Sequence, residues 1–211
     1  MDDEEEPPHK KKVAKKIIVD FKETESAFVN LAGDYRYLKQ GYFESVDAEV
    51  RGIKVYPTPE EALNAYLVPI CLERAKRNGI PVPEYTVTRE EIRPPAIVYP
   101  INPFMSKYSV VQKSGSIKRI VKSMTRNYTY PICVQKLDGT IREFSCILGQ
   151  TTQPEFAELA KKIWDLFHLP LCRVRVIANT NVKLSAIEPL ELQELKRAEL
   201  KLLKKANAWQ K

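Results

Sequence analysis

The order of short apolar runs between residues 130 and 187 constrains the fold more than any other stretch of the chain. Residues 130–137 and 140–148 are strand-like, and Asp138-Gly139 between them accepts the positive φ angles of a type I′ turn, so a hairpin is expected. In the two-residue-loop register Cys133 faces Phe144 and lies diagonal to Cys146. Phe156, Leu159, Ala160, Ile163, Trp164 and Phe167 then recur at helical spacing, the cleanest amphipathic pattern in the chain. Two more strands, 172–177 and 182–187, follow across Ala178-Asn179-Thr180-Asn181. This half reads as hairpin-rich α+β.

The preceding half has a different style. Ile17-Ile18-Val19 opens a strand, and residues 21–31 fit no single pattern. Residues 42–50 read as a helix with Phe43, Val46 and Val50 on its inner side, closed by Arg51-Gly52 and followed by a strand over 53–56. Thr58 is placed to cap a helix with Pro59 in its first position and acids in its first turn. Leu63, Tyr66, Leu67, Ile70 and Cys71 carry that helix towards Asn78-Gly79, with a kink expected at Pro69. Residues 16–80 therefore predict a βαβα half, as in a parallel flavodoxin-like sheet. Residues 96–99 offer a further strand within a proline-rich stretch. A last helix from about Pro189 turns Leu192, Leu195, Ala198, Leu202 and Ala206 inward and Arg197, Lys201, Lys204 and Lys205 outward. The predicted class is α/β with a mixed sheet. Its expected parts are a charged leader over 1–15, a domain over 16–187 with a possible division near 80–130, and a basic C-terminal helix over 188–211.

Simple counts exclude several chemistries. The seven glycines form neither G-x-x-x-x-G-K-[ST] nor G-x-G-x-x-G, so no standard phosphate loop or dinucleotide fingerprint is present. Cys71, Cys133, Cys146 and Cys172 are scattered among apolar neighbours and read as small buried hydrophobes in a reducing compartment. With only His9 and His168 available, no metal site is predicted. His168 ends the apolar face of a helix and reads as a packing residue. No nucleophile, catalytic residue or cofactor is expected. No apolar run reaches the roughly 18–20 residues of a membrane span, and the start, Met1-Asp2-Asp3-Glu4-Glu5-Glu6, is unlike a signal peptide. A cytoplasmic protein is expected.

Charge is unevenly placed. The chain has 34 Lys and Arg against 27 Asp and Glu, a net charge of +7. Residues 92–137 hold eight bases and no acid, while the rest of the chain sums to −1. Tyr108, Tyr128 and Tyr130 are interleaved with these bases, and aromatic rings beside cations suit nucleic acid. The candidate polyanion-binding residues are Lys107, Lys113, Ser114, Ser116, Lys118, Arg119, Lys122, Arg126 and Tyr128. Either Ser114 or Ser116 can cap a helix, and Lys118, Lys122 and Arg126 then fall four apart opposite Ile117, Ile120, Val121 and Met124. RNA or a ribonucleoprotein such as the ribosome is the partner this segment suggests, with an acidic protein patch or a solvated helix face as alternatives. The acidic leader is placed to mask it.

Asn30-Leu31-Ala32-Gly33-Asp34-Tyr35-Arg36-Tyr37, then Gly41-Tyr42-Phe43, Ala48-Glu49-Val50-Arg51-Gly52 and a strand ending at Pro57 resemble the RimK-like ATP-grasp N-terminal domain family. The likeness resumes at Leu148-Gly149-Gln150-Thr151 and runs through residues 166–174 and 186–190. One departure is Ile53, where the family has His. The resemblance implies a pre-ATP-grasp fold and a module that accompanies a ligase joining a carboxylate to an amine through an acyl phosphate. The magnesium-binding carboxylate and Asn positions of such a ligase are not found, so the resemblance implies a stand-alone, noncatalytic chain, either an accessory subunit serving a separate ATP-grasp protein or a remnant of one. The segment 34–42 lies between a strand and a helix, where open α/β sheets place their crevices. Tyr35, Arg36, Tyr37 and Tyr42 are the candidate ligand or partner contacts there, with a packed loop as the alternative.

Overall fold

The computed structural model describes residues 17–22, 25–102, 105 and 107–206. The charged leader over 1–15 lies outside the described residues, as do residues 207–211. The described strands form three sheets. In the first, β1 (Ile17–Lys22) runs antiparallel to β2 (Glu25–Val29), and β2 runs parallel to β3 (Lys54–Tyr56). Only the β2–β3 pair is therefore of the expected parallel kind.

Helix α1 (Gln40–Val50) makes the crossover between β2 and β3. It does not bury the expected face. Gly41, Ser45 and Ala48 point inward, whereas Phe43 is 53% and Val50 82% exposed. The reason is proximity. The Asn30 amide donates to the Gly41 carbonyl at 2.7 Å and to the Ser45 hydroxyl at 3.1 Å. A Cβ on Gly41 would stand 2.5 Å from the Asp34 carbonyl oxygen. At that approach only small side chains fit beneath the helix.

Helix α2 (Pro59–Tyr66) starts as expected, with a full capping box between Thr58 and Glu61. It ends at Leu67, whose backbone is extended, and α3 (Val68–Arg77) begins afresh with Pro69 in its first turn, where the missing N–H costs nothing. The chain thus breaks into two helices where a kink was expected.

The second sheet takes β4 (Tyr85–Thr88), β5 (Ala96–Pro100), β6 (Ser109–Val111) and β7 (Ile132–Lys136) in the order β4-β7-β5-β6, all antiparallel. Helix α4 (Ile117–Met124) covers one face through Val121 and Met124, which pack with Ala96, Val98, Ile132 and Val134. The other face carries Ile97, Tyr99 and Cys133, the period-2 alternation of a sheet buried on both sides.

The third sheet has the order β10-β9-β8, from β8 (Thr140–Ile147), β9 (Leu171–Ala178) and β10 (Val182–Pro189). The β9–β10 hairpin forms as expected, with Asn179 Oδ1 accepting from the Asn181 amide at 2.9 Å in its turn. The hairpin expected at Asp138-Gly139 does not form. β7 pairs with β4 and β5, β8 pairs with β9, and the two strands enter different sheets. Cys133 therefore faces Val87 and Tyr99, and Cys146 faces Cys172. Gly139 lacks a positive φ. It is needed for another reason: a Cβ there would stand 2.5 Å from the Ala178 carbonyl oxygen. β7, buried along Ile132–Gln135, needs a partner on each side, and a hairpin supplies one.

Helix α5 (Ala157–Phe167), entered through a single 3₁₀ turn Pro154–Phe156, lays Phe156, Ala160, Ile163 and Phe167 on Phe144, Cys146 and Cys172. Helix α6 (Arg197–Ala206) starts later than expected, after a 3₁₀ turn Leu192–Glu194 and an extended Leu195. Leu195 is buried as expected, but the break shifts the phase of the helix that follows: Glu199 and Leu203 are buried, while Leu192 and Ala198 are exposed. Arg197, Lys201, Lys204 and Lys205 do face outward. All four cysteines are buried and free. Among the described residues no helix is long and apolar enough to cross a membrane.

Candidate functional site

The second and third sheets meet at a buried polar knot that no part of the sequence pattern announces except one residue. Arg175 lies on β9 between Val174 and Val176, and, unlike Arg173 on the same strand, its side chain is only 4% exposed. Glu143, its register partner on β8, accepts from Nε at 2.8 Å and from Nη2 at 2.6 Å through Oε1. Glu188 on β10 accepts from Nη1 at 2.6 Å through Oε1 and from Nη2 at 2.8 Å through Oε2. The guanidinium carbon lies over the Tyr108 ring, 3.7 Å from its centroid. Burial alone would lower the Arg175 pKa, but the hydrogen bonds to Glu188 and the neighbouring Tyr99 raise it above its ordinary value. The charge is permanent.

A β-bulge completes the junction. The β9–β10 register slips between Leu184 and Ala186, leaving Ser185 as the extra residue and turning it toward the second sheet. Its hydroxyl donates to Gln135 Oε1 at 2.7 Å and lies 2.8 Å from the Tyr99 hydroxyl, while Gln135 Nε2 donates to the Ser185 carbonyl at 2.8 Å. Each of these buried polar groups has a partner, as their burial requires. Among the described residues no group of three or more His, Cys, Asp or Glu is placed to hold a metal ion.

The residues proposed from 34–42 separate. Tyr35 is fully buried, its hydroxyl donating to the Asn30 carbonyl at 2.6 Å, and burial pushes its phenol pKa far up. It is out of reach of a ligand. Arg36 is held by both carboxylate oxygens of Asp34, at 2.8 and 2.6 Å, which raises its pKa. Tyr37 and Tyr42 meet edge to face at 5.3 Å on the surface, and Tyr42 meets Phe43 at 5.9 Å.

The candidate polyanion-binding cations lie on the surface. Lys107, Lys113, Lys118, Arg119, Lys122 and Arg126 are all exposed. Ser114–Ser116 forms a 3₁₀ turn ahead of α4, and neither serine caps the helix with its side chain. Arg126 is not on the helix. It starts a turn in which Arg126, Asn127 and Tyr128 have φ of 49°, 55° and 66°. Ser114, Lys118 and Tyr128 line one open cavity of about 450 Å³ together with Glu90, Ile117 and Val121.

His168 has more than a packing role. It caps α5 in the left-handed conformation, and Nδ1 lies 2.6 Å from Glu61 Oε1 on α2.

The sheet architecture is similar to that of solved ATP-grasp ligases. A RimK domain ATP-grasp protein from Sphaerobacter thermophilus superposes with a TM-score of 0.58 at 16% identity, over 79% of this chain and 73% of that one. The ATP-grasp ligase PsnB, in complex with precursor peptide PsnA2 and AMPPNP, gives 0.56 at 16% identity over 81% and 67%. D-alanine–D-alanine ligase from Helicobacter pylori gives 0.55 at 19% identity over 77% and 65%. The chain thus spans about two thirds of the length of such ligases. Among curated proteins none matches. Residues 18–70 and 98–206, most of the described chain, match the RimK-like ATP-grasp N-terminal domain. The chain belongs to the RimK-like ATP-grasp N-terminal domain family.

Proposed function

We propose that this chain is a noncatalytic relative of the ATP-grasp ligases that serves as an accessory to a separate ATP-grasp chain. Family membership and a fold shared over about four fifths of the chain support the ligase relationship. The observation that carries the noncatalytic half is the Arg175 knot. Glu143 and Glu188, brought together at the junction of two sheets, are both turned onto one guanidinium. A divalent cation there would have to displace Arg175 or share its two carboxylates at like-charge contact, so the residues do not fit a magnesium-bound nucleotide. No step through such a group follows from this site.

Nucleic-acid binding, the other expectation, uses none of these residues and stands on the α4 surface alone. The accessory reading is tested by affinity purification of the full chain with nuclease treatment, alongside calorimetry of the isolated chain with magnesium-ATP. The expected outcome is nuclease-resistant co-purification of an ATP-grasp protein and no heat of nucleotide binding. ATP turnover by the isolated chain would overturn the noncatalytic half, and failure to recover any ATP-grasp partner would overturn the accessory half.

A further inference from the structure

We propose that α4 and the turn that follows it form a binding site for single-stranded nucleic acid. The first observation is electrostatic. Among the described residues Arg36, Arg51, Arg74, Arg77, Arg93, Lys136, Arg142, Lys161, Lys162, Arg173, Arg175 and Lys183 each meet a carboxylate, while Arg197, Lys201, Lys204 and Lys205 on α6 are exposed and in no ion pair, as are the bases around α4. Lys113, Lys118, Arg119, Lys122 and Arg126, crowded around one short helix, are exposed and in no ion pair among the described residues. Unpaired cations in such number raise the local potential and draw a polyanion.

The second observation distinguishes nucleic acid from an acidic protein. Beside these cations stands an aromatic ring, Tyr128, 40% exposed and lining the same cavity as Lys118 and Ser114. Its position is built. Three successive left-handed residues are unusual without glycine, and here the buried Thr125 holds them. Its hydroxyl donates to the Val121 carbonyl at 2.7 Å and accepts from the Tyr128 amide at 2.7 Å, while the Asn127 amide donates to the Lys122 carbonyl at 2.8 Å. The turn therefore fixes the ring over the cavity next to α4. Lys118 and Lys122, one helical turn and about 6 Å apart along the axis, can follow successive phosphates while a base stacks on Tyr128. Val121 and Ile117 supply an apolar floor. Glu90 lies on the cavity wall and opposes phosphate, so it limits affinity.

Fluorescence anisotropy of a labelled 12-nucleotide oligouridylate with the full chain tests the site. Binding at low salt is expected to weaken about 50-fold between 50 and 200 mM salt if about four phosphates are neutralised. Lys118→Glu with Lys122→Glu should abolish detectable binding even at low salt, and the single change Lys122→Gln should weaken it and make the salt dependence shallower. Tyr128→Ala should weaken it roughly 5- to 100-fold with the salt slope unchanged, because stacking carries no charge. Glu90→Gln should tighten it. All four positions are exposed or line the open cavity, and circular dichroism verifies that the variants fold. No anisotropy change at low salt would overturn the proposal. So would equal affinity for polyglutamate of the same length, or a Tyr128→Ala variant that binds as the parent does. The probe needs no ligase partner, so its failure leaves the accessory reading standing.

Discussion

His168 and Glu61 show how a single contact ties the two halves of the chain together at residue scale. The hydrogen bond that His168 donates to Glu61 raises the His168 pKa above the ordinary histidine value, with burial acting the other way. Burial pushes Glu61 up, but the bonds from His168 and Thr58 outweigh it and hold its pKa down. A raised histidine contributes stability that is complete below its unfolded pKa and is lost as pH rises through the folded value. A depressed carboxylate contributes stability that is present above its unfolded pKa and is lost as pH falls through the folded value. The pair is therefore strongest between the unfolded values, roughly pH 4.5 to 6.5. Replacing His168 with Asn, which tolerates the left-handed backbone, removes the pair and leaves the cap. Urea denaturation should show a loss of about 1 kcal/mol near pH 5.5, kept small because His168 is partly exposed. The loss should shrink as the pH rises past the ordinary histidine value and through the raised one. A deficit constant across that range would refute the linkage.

At the scale of elements, α1 shows that an apolar pattern names a helix without naming its buried face. Phe43, Val46 and Val50 recur at helical spacing, yet the helix approaches β2 and β3 through Gly41, Ser45 and Ala48. Gly41→Ala should destabilise the protein by about 1–3 kcal/mol, because the new methyl meets the Asp34 carbonyl, a backbone group that cannot step aside. Val50→Lys, at a position 82% exposed, should change the unfolding free energy from urea denaturation by no more than about 0.5 kcal/mol. The reverse ordering would mean that the apolar face is the packed one. By contrast, α5 was readable in full because its large residues are the ones it buries, and the α2 start was readable because capping is chemistry within four residues. The Asp138-Gly139 turn misled for a related reason. Those two residues permit a hairpin but do not select the partner strand, and the partner of β7 is settled by burial on both of its faces.

At the scale of the whole molecule, Arg175, Tyr99, Gln135 and Ser185 join the second and third sheets across their interface. Removing the guanidinium leaves Glu143 and Glu188 facing each other without a counter-charge. Arg175→Met should cost about 2–4 kcal/mol in urea denaturation, somewhat under the loss for a fully buried pair because both carboxylates keep some solvent. A loss under 1 kcal/mol would show that the knot is not a structural tie. Of the candidate site residues, the cations of residues 107–126 and Tyr128 could be named from the sequence, since residues 92–137 hold eight bases and no acid, although Arg93 and Lys136 in that stretch are paired with Glu91 and Glu84 from outside it. Tyr35 could not be sorted from Tyr37 and Tyr42, because the three differ in burial and not in type. The lone charge between Val174 and Val176 was the one visible sign of the knot, and it gave no hint of its partners. Local chemistry thus settled the class of fold, the family, the capped start of α2 and the place of the charge, because each depends on residues a few positions apart. Strand partners, the inward face of α1 and the company of Arg175 depend on residues far apart in the chain, and only the packing of the three sheets decided them.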